Sequence, residues 1–216
     1  MKLVAISDTH MHHEQLEIPR CDLLVHAGDA TWLGKLEEVV PFLDWFAEQP
    51  ADLLVFVPGN HDWLFELQPH LAQQMCRDRG ILLLNDDGVH FRGQNLWGVA
   101  WQAPFNRWAF NVVDPDRRRA IFSRIPDDTD ILITHQPAYL RGDSNGWKAC
   151  GDPVLLERVE QVNPHMHISG HLHEDGGIRE FGPTTFVNAT ILDWAHKPTH
   201  SPHIFELEQY ALRRAN

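Results

Sequence analysis

A chain of 216 residues with 43% hydrophobic and 22% charged residues has an ordinary globular composition and enough length to bury one sizeable core without disulfides. Its formal net charge of -12 argues against a broad basic track for long nucleic acid, because Lys and Arg contacts to phosphate dominate that affinity. Cys21, Cys76 and Cys150 are scattered and lack Cys-x-x-Cys spacing, which argues against a disulfide framework or a thiolate zinc site and fits a reducing compartment. No apolar run reaches membrane-spanning length, and the N-terminal run meets Ser7-Asp8 too soon for a signal-peptide core. A single cytoplasmic domain over residues 1–216, with no membrane partner, is expected.

Taken in order, Lys2 to Ser7 is a short continuous apolar run, the pattern of a strand buried on both faces. Asp8 and His10 follow with one residue between them, so both side chains can point the same way from an extended end. Met11 to Arg20 reads as loop. Asp22 to Ala27 is a second buried strand, ending at Gly28-Asp29. From Leu33 to Gln49 apolar residues recur at helical spacing, and Pro41 predicts an interruption or two short helices. Asp52 to Val57 is a third strand, running into Pro58-Gly59-Asn60-His61-Asp62. Trp63 to Arg79 carries a second helical pattern that stops at Gly80.

This strand and helix rhythm predicts parallel pairing with right-handed crossovers. Ile81 to Asn85 is a further apolar run, and Val89 to Arg92 with Leu96 to Trp101 reads as a hairpin. Ala103 to Val113 is aromatic-rich and aperiodic. Asp114 to Arg124 predicts a solvated basic helix. Asp130 to Thr134 is a strand delivering His135, and residues 138–152 form a polar loop holding Arg141, Asp143 and Asp152. Val154 to Val162 is helical, and His165 to Ser169 is a strand ending in Gly170-His171-Leu172-His173. Ile178 to Phe181, Thr185 to Val187 and Ile204 to Leu207 read as shorter antiparallel strands. The whole predicts an α/β sandwich of two mixed β-sheets flanked by helices, with its polar strand ends gathered at one rim, where ligand sites of α/β folds lie.

The total of 15 histidines is unusual. His12, His13, His70, His90, His196, His200 and His203 are expected at the surface, and His26, inside a strand, in the core with a hydrogen bond. Of the others, His10, His135, His171 and His173 cluster with carboxylates and an amide at five strand ends: Asp8, His10, Asp29, Asn60, His135, His171 and His173. Oxygen and imidazole donors without thiolates suit Mn, Fe, Zn or Co. Seven donors exceed the roughly six that one ion takes, so two divalent ions sharing a carboxylate are expected. Such a pair, about 3.5 to 4 Å apart, suits in-line displacement at phosphorus, supplying hydroxide at ordinary pH and neutralising developing charge. A leaving alkoxide needs a proton, and His61, beside Asn60, is placed to give it. Its alternative is a residue that hydrogen-bonds a ligand.

In this order, Asp8-Thr9-His10, Gly28-Asp29, Gly59-Asn60-His61-Asp62, His135 and Gly170-His171-Leu172-His173 resemble the calcineurin-like metallophosphoesterase pattern along nearly the whole chain. The resemblance implies a first metal on Asp8, His10, Asp29 and His173, and a second on Asp29, Asn60, His135 and His171, with Asp29 bridging; Mn is the expected ion for the pair, with Fe, Zn or Co as alternatives. It implies His61 as proton donor, with Asp62 in the catalytic set. Ile6 to His10, Gly28 to Thr31, Ala103 to Phe110 and Val187 to Thr190 are similar to small metallophosphoesterase-domain proteins related to class III cyclic-nucleotide phosphodiesterases. That closer likeness implies hydrolysis of small phosphodiesters, cyclic nucleotides first among them, with phosphomonoesters or nucleotide pyrophosphates as the alternative.

Two departures stand out. Relatives commonly carry an acid three positions after the bridging Asp, where it orients the catalytic His; here Trp32 stands there, leaving Asp62 or Thr31 to substitute. The Asp-Arg-Gly continuation of phosphoprotein phosphatases is missing after Asp29, which argues against a Ser/Thr protein phosphatase. A binding module that kept the fold without catalysis would be expected to have lost ligands, whereas all seven positions and His61 are present. Trp101, Phe105 and Trp108 are candidates for stacking a nucleobase, with Arg107 or Arg141 gripping phosphate. The alternative is an aromatic cluster that packs a long loop on the sheet.

Overall fold

The computed structural model describes residues 1–207; residues 208–216, the end of the expected single domain, lie outside the described residues. Two mixed sheets face one another. The first has the order β11-β1-β2-β3-β4, formed by Lys2–Ile6 (β1), Cys21–His26 (β2), Ala51–Phe56 (β3), Ile81–Leu83 (β4) and His203–Glu206 (β11). Its strands pair in parallel from β1 to β4, with Leu3 opposite Leu23 and Leu23 opposite Leu53, while β11 closes the β1 edge antiparallel. The second has the order β5-β6-β7-β8-β10-β9, from Asp87–Phe91 (β5), Gln94–Val99 (β6), Ile131–Thr134 (β7), Met166–Ser169 (β8), Gly177–Phe181 (β9) and Thr184–Asn188 (β10). Strands β6, β7, β8 and β10 are parallel, with antiparallel edges.

Strand alternation separates two cores. Ile131 and Ile133 point into the main cluster shared with Leu3, Leu23, Val25 and Val55. Leu132 between them points the other way, into a cluster built with Phe122, Leu155, Val159 and Phe186, as the period of two demands. Helix α1 (Leu36–Ala47) lays Phe42 on His26 and Phe56, with ring centroids 5.0 and 5.2 Å apart. Helices α4 (Pro115–Phe122) and α5 (Pro153–Val162) cover the second sheet. Among the described residues no helix is long and apolar enough to cross a membrane.

Three helical expectations are corrected. α1 is continuous through Pro41: the proline sits on the exposed side, while Val39, Phe42, Leu43 and Phe46 form an unbroken buried stripe whose burial outweighs the hydrogen bond a proline cannot donate. The 63–79 pattern is instead two helices, α2 (Trp63–Leu67) and α3 (Pro69–Arg77), because Gln68 precedes a proline, which disfavours the helical conformation there, and it breaks the helix at φ -135° and ψ 59°. Helix α4 is not simply solvated. Arg118, Ile121 and Phe122 are buried, and Arg118 Nε lies 2.9 Å from the Asp152 carboxylate that caps α5. His13 is also buried, against Phe42 and Trp45, because the turn His13–Gln15 folds onto α1.

Candidate metal centre

Parallel strands of both sheets end at one rim. Strand β1 runs through Ser7 to Asp8, β2 through Gly28 to Asp29, and β3 through Gly59 to Asn60 and His61; β7 delivers His135, and β8 delivers His171 and His173. Asp8, His10, Asp29 and His171 sit at φ of 56°, 37°, 55° and 72°, a region that costs non-glycine residues of order 1 kcal/mol or more. Backbone bonds between neighbouring turns hold them there: Asp8 N donates to Gly28 O at 2.8 Å, and His10 N to Asp29 O at 3.1 Å. Two glycines permit the convergence. A Cβ on Gly59 would lie 2.3 Å from Asp29 Oδ1, and one on Gly170 2.0 Å from Ser7 Oγ and 2.2 Å from Asp8 Oδ2. Only a residue without a side chain fits either place.

Asp29 is the centre of this geometry. Its Oδ1 accepts the His61 N–H at 2.8 Å. Its Oδ2 faces three imidazoles, with Nε2 of His135 at 3.2 Å, His10 at 3.6 Å and His61 at 4.0 Å. Each of these rings turns its other nitrogen to a backbone carbonyl: His10 Nδ1 to Thr31 O at 2.9 Å, His61 Nδ1 to Trp32 O at 2.7 Å, and His135 Nδ1 to Ala27 O at 2.9 Å. A carbonyl can only accept, so each Nδ1 carries a proton and Nε2 is the nitrogen left to meet a cation; at His135, held between Asp29 and Asn60, Nε2 would give up a proton to the cation that replaced it. Asn60 Oδ1, 3.1 Å from His135 Nε2, adds another acceptor to the group. Beside it, Asp8 Oδ1 lies 3.2 Å from His173 Nε2, and both Asp8 oxygens accept the His171 N–H.

Carboxylates crowded with imidazoles in a buried place require positive charge among them, from protons or from cations. The titration behaviour expresses the same field. Burial disfavours the His135 imidazolium, yet the Asp29 charge and hydrogen bond outweigh it and push its pKa up to about 9. Burial wins at His10 and His171, pushed down to about 4 and about 3, which keeps them neutral as ligands must be. Burial would raise Asp8, but the His173 hydrogen bond and charge hold it below the usual carboxylate range. The candidate donors sort into His10, Asp29 and His61, then Asp29, His135 and His171, then His10, His173 and His196; within each set the donor atoms lie within 4.8 Å of one another. Asp29 belongs to two sets, as a carboxylate shared by two cations would. The nitrogen and oxygen donors present therefore fit divalent cations.

The structure gathers all seven expected ligands. His61 joins them with its side chain 17% exposed, oriented by the Trp32 carbonyl rather than by Asp62 or Thr31, and stacked on Trp108 at 3.9 Å. Asp62 lies outside the cavity lining. Fully buried, it accepts from Gly59 N, Ala30 N, Thr31 N and Thr31 Oγ, tying the turn after β2 to the turn after β3. Burial and the charge of Asp29 push its pKa up to about 6.

A cavity of about 550 Å³ opens over the centre, a size that suits a small ligand. Phe105 lines it, edge-on to His171 at 4.7 Å. Trp108 contributes through His61, and Trp101 packs on Phe110 instead. Arg107 is exposed and outside the lining. Arg141 is turned away, paired with Glu160 and lying over the Phe181 ring at 4.3 Å, because its loop packs on the face carrying β9 and β10. Lys148, Trp194 and His196 line the cavity and escaped sequence reasoning. Lys148 lies in a loop with no periodicity, and His196, exposed as expected, sits in a turn well past the end of β10. His70 and His90 are exposed as expected, His12, His200 and His203 are half-buried, and His26 is a buried core residue bonded to Thr9 at 3.0 Å.

The comparisons agree with this geometry. Human metallophosphoesterase domain-containing protein 1 is 30% identical over 95% of this chain and 71% of its own length. A Caenorhabditis elegans UPF0046 protein is 30% identical over 98% of this chain and 77% of its own. The solved structure of TT1561 from Thermus thermophilus superposes with a TM-score of 0.61 at 16% identity, covering 87% of this chain and 88% of that one, a likeness of fold. A family model described as calcineurin-like phosphoesterase matches residues 1–175, and the chain belongs to that family.

Proposed function

We propose that this protein hydrolyses small phosphodiesters, cyclic nucleotides first among them, at a centre of two divalent cations, with manganese the preferred occupant. One observation carries the reading: a single oxygen, Asp29 Oδ2, faces the Nε2 atoms of three carbonyl-anchored imidazoles beneath a cavity of ligand size. Asp8, His10, Asp29 and His173 would hold one cation and Asp29, Asn60, His135 and His171 the other. When bound, the cations supply an activated water and neutralise charge developing on phosphoryl oxygens.

The chain's own groups do the rest. His61 keeps Nδ1–H on the Trp32 carbonyl in either protonation state, so the proton it can give is the one on Nε2, on the side of the cavity. Trp108 stacks on its face and fixes the plane of the ring. Lys148 brings a positive charge to the cavity, and Phe105 offers an apolar edge for a base. Protein stripped by chelator and reloaded with manganese is expected to cleave an aryl phosphodiester faster than the matching monoester. Equal or reversed preference would move the assignment to a phosphomonoesterase, and activity insensitive to chelation would end it.

A further inference from the structure

Beyond β10 the chain makes a five-residue turn, closed by a bridge between Leu192 and Pro198. Asp193 fastens it: its N donates to Lys197 O at 2.9 Å, and its Oδ1 accepts from Ala195 N at 2.9 Å and Lys197 N at 3.0 Å. This pins His196 at φ 54°, where a side chain carries a cost. The imidazole is thereby carried over the centre, its ring 4.9 Å from that of His173, 6.0 Å from that of His10 and 5.5 Å from Trp32. Donor nitrogens of His10, His173 and His196 lie within 4.8 Å of one another. Two donors each about 2.1 Å from one ion stand at most about 4.2 Å apart, so small side-chain adjustments bring all three onto a common cation.

We propose that His196 is an additional protein ligand for the cation held by Asp8, His10 and His173, supplied by the second sheet from a turn outside the recognised motifs. Such a ligand makes this position richer in imidazole than the one built on His135 and His171, and leaves it fewer places for solvent or substrate. The third imidazole shifts this position, relative to the other, toward softer, nitrogen-seeking ions such as zinc or cobalt. Substrate would then enter mainly from the Asn60 and His171 side, where Phe105 and Lys148 line the cavity.

The proposal rests on the two-cation reading, and the test separates them. The full chain, stripped by chelator, is titrated with cobalt alone, following visible absorption and competition with a chelator, for wild type, His196→Ala and a control at exposed His90. His196→Ala is expected to weaken one of two sites by at least about tenfold and to alter the cobalt spectrum before any substrate is added. The His90→Ala control is expected to leave both unchanged. Two cobalt ions bound by His196→Ala with wild-type affinity and spectrum would overturn the His196 assignment while sparing the centre. Failure of wild type to bind two ions would overturn both.

Discussion

The two sheets bring unlike chemistry to the rim. The first supplies Asp8, Asp29 and Asn60, with His10 and His61 in the same turns, and so all of the anionic oxygen. The second supplies imidazoles only, His135, His171 and His173, with His196 beyond them. Each half alone is incomplete: the first would leave two buried carboxylates side by side, and the second would offer nitrogens with no anion. The centre exists only where the halves of the sandwich meet, stitched by the bridge from Ser7 to Thr190 and by the His171 N–H on Asp8.

The largest way to break this division is to remove its shared anion. Asp29→Ala is expected to lower kcat/KM by about a thousandfold or more, the equivalent of several kcal/mol of charge stabilisation. Metal analysis should show fewer than two ions per chain; full occupancy with retained turnover would refute the role. Next comes His61→Ala, expected to keep both ions and to slow substrates with poor leaving groups by about a hundredfold while sparing those with good ones. A uniform loss across a leaving-group series would remove it as proton donor.

The third prediction sharpens a point where the sheets are alike. Each buries one histidine on a threonine hydroxyl, His26 on Thr9 and His167 on Thr134, and burial pushes both down to about 3. The unfolded chain takes these protons near pH 6.5 and the folded chain does not. Stability is therefore intact above that pH and lost as pH falls from 6.5 toward about 3. By pH 5 each imidazole is expected to contribute a loss of about 2 kcal/mol, read as a change in urea midpoint, with His26→Gln and His167→Gln each removing part of the pH slope. A flat profile between pH 7.5 and 5 would contradict it. The smallest effect is set at the seam itself. Gly170→Ala forces a methyl onto Ser7 and Asp8 and is expected to weaken metal on the Asp8 side about tenfold, measured by chelator competition; unchanged affinity would show that the turn has room to give.

The site was legible in the sequence to the extent that its ligands follow strand ends directly. Short apolar runs announced the strands, and the polar residues just past them could lie only at one rim. What stayed hidden depends on backbone atoms or distant packing. The Trp32 carbonyl that orients His61 has no signature, since every residue owns a carbonyl. Arg118 reads as a surface residue until Asp152 is brought to it, and His13 until α1 covers it. His196 reaches the site only because the packing of the chain after β10 sets its turn over the centre, and Arg141 leaves it because its loop packs on the opposite face. Pro41 misled because its cost is local while the stripe that overrides it spans the whole helix.

Asp62 carries a consequence for how this chain tolerates change. The separation of Asp29 from Asn60 is governed by one enclosed acid that gathers four donors from two turns. Ligand spacing is thus set by a knot out of reach of solvent, and substrates can exchange above it without disturbing the metal cradle. Selection for new substrates has the cavity walls to work on, while the knot beneath stays the same.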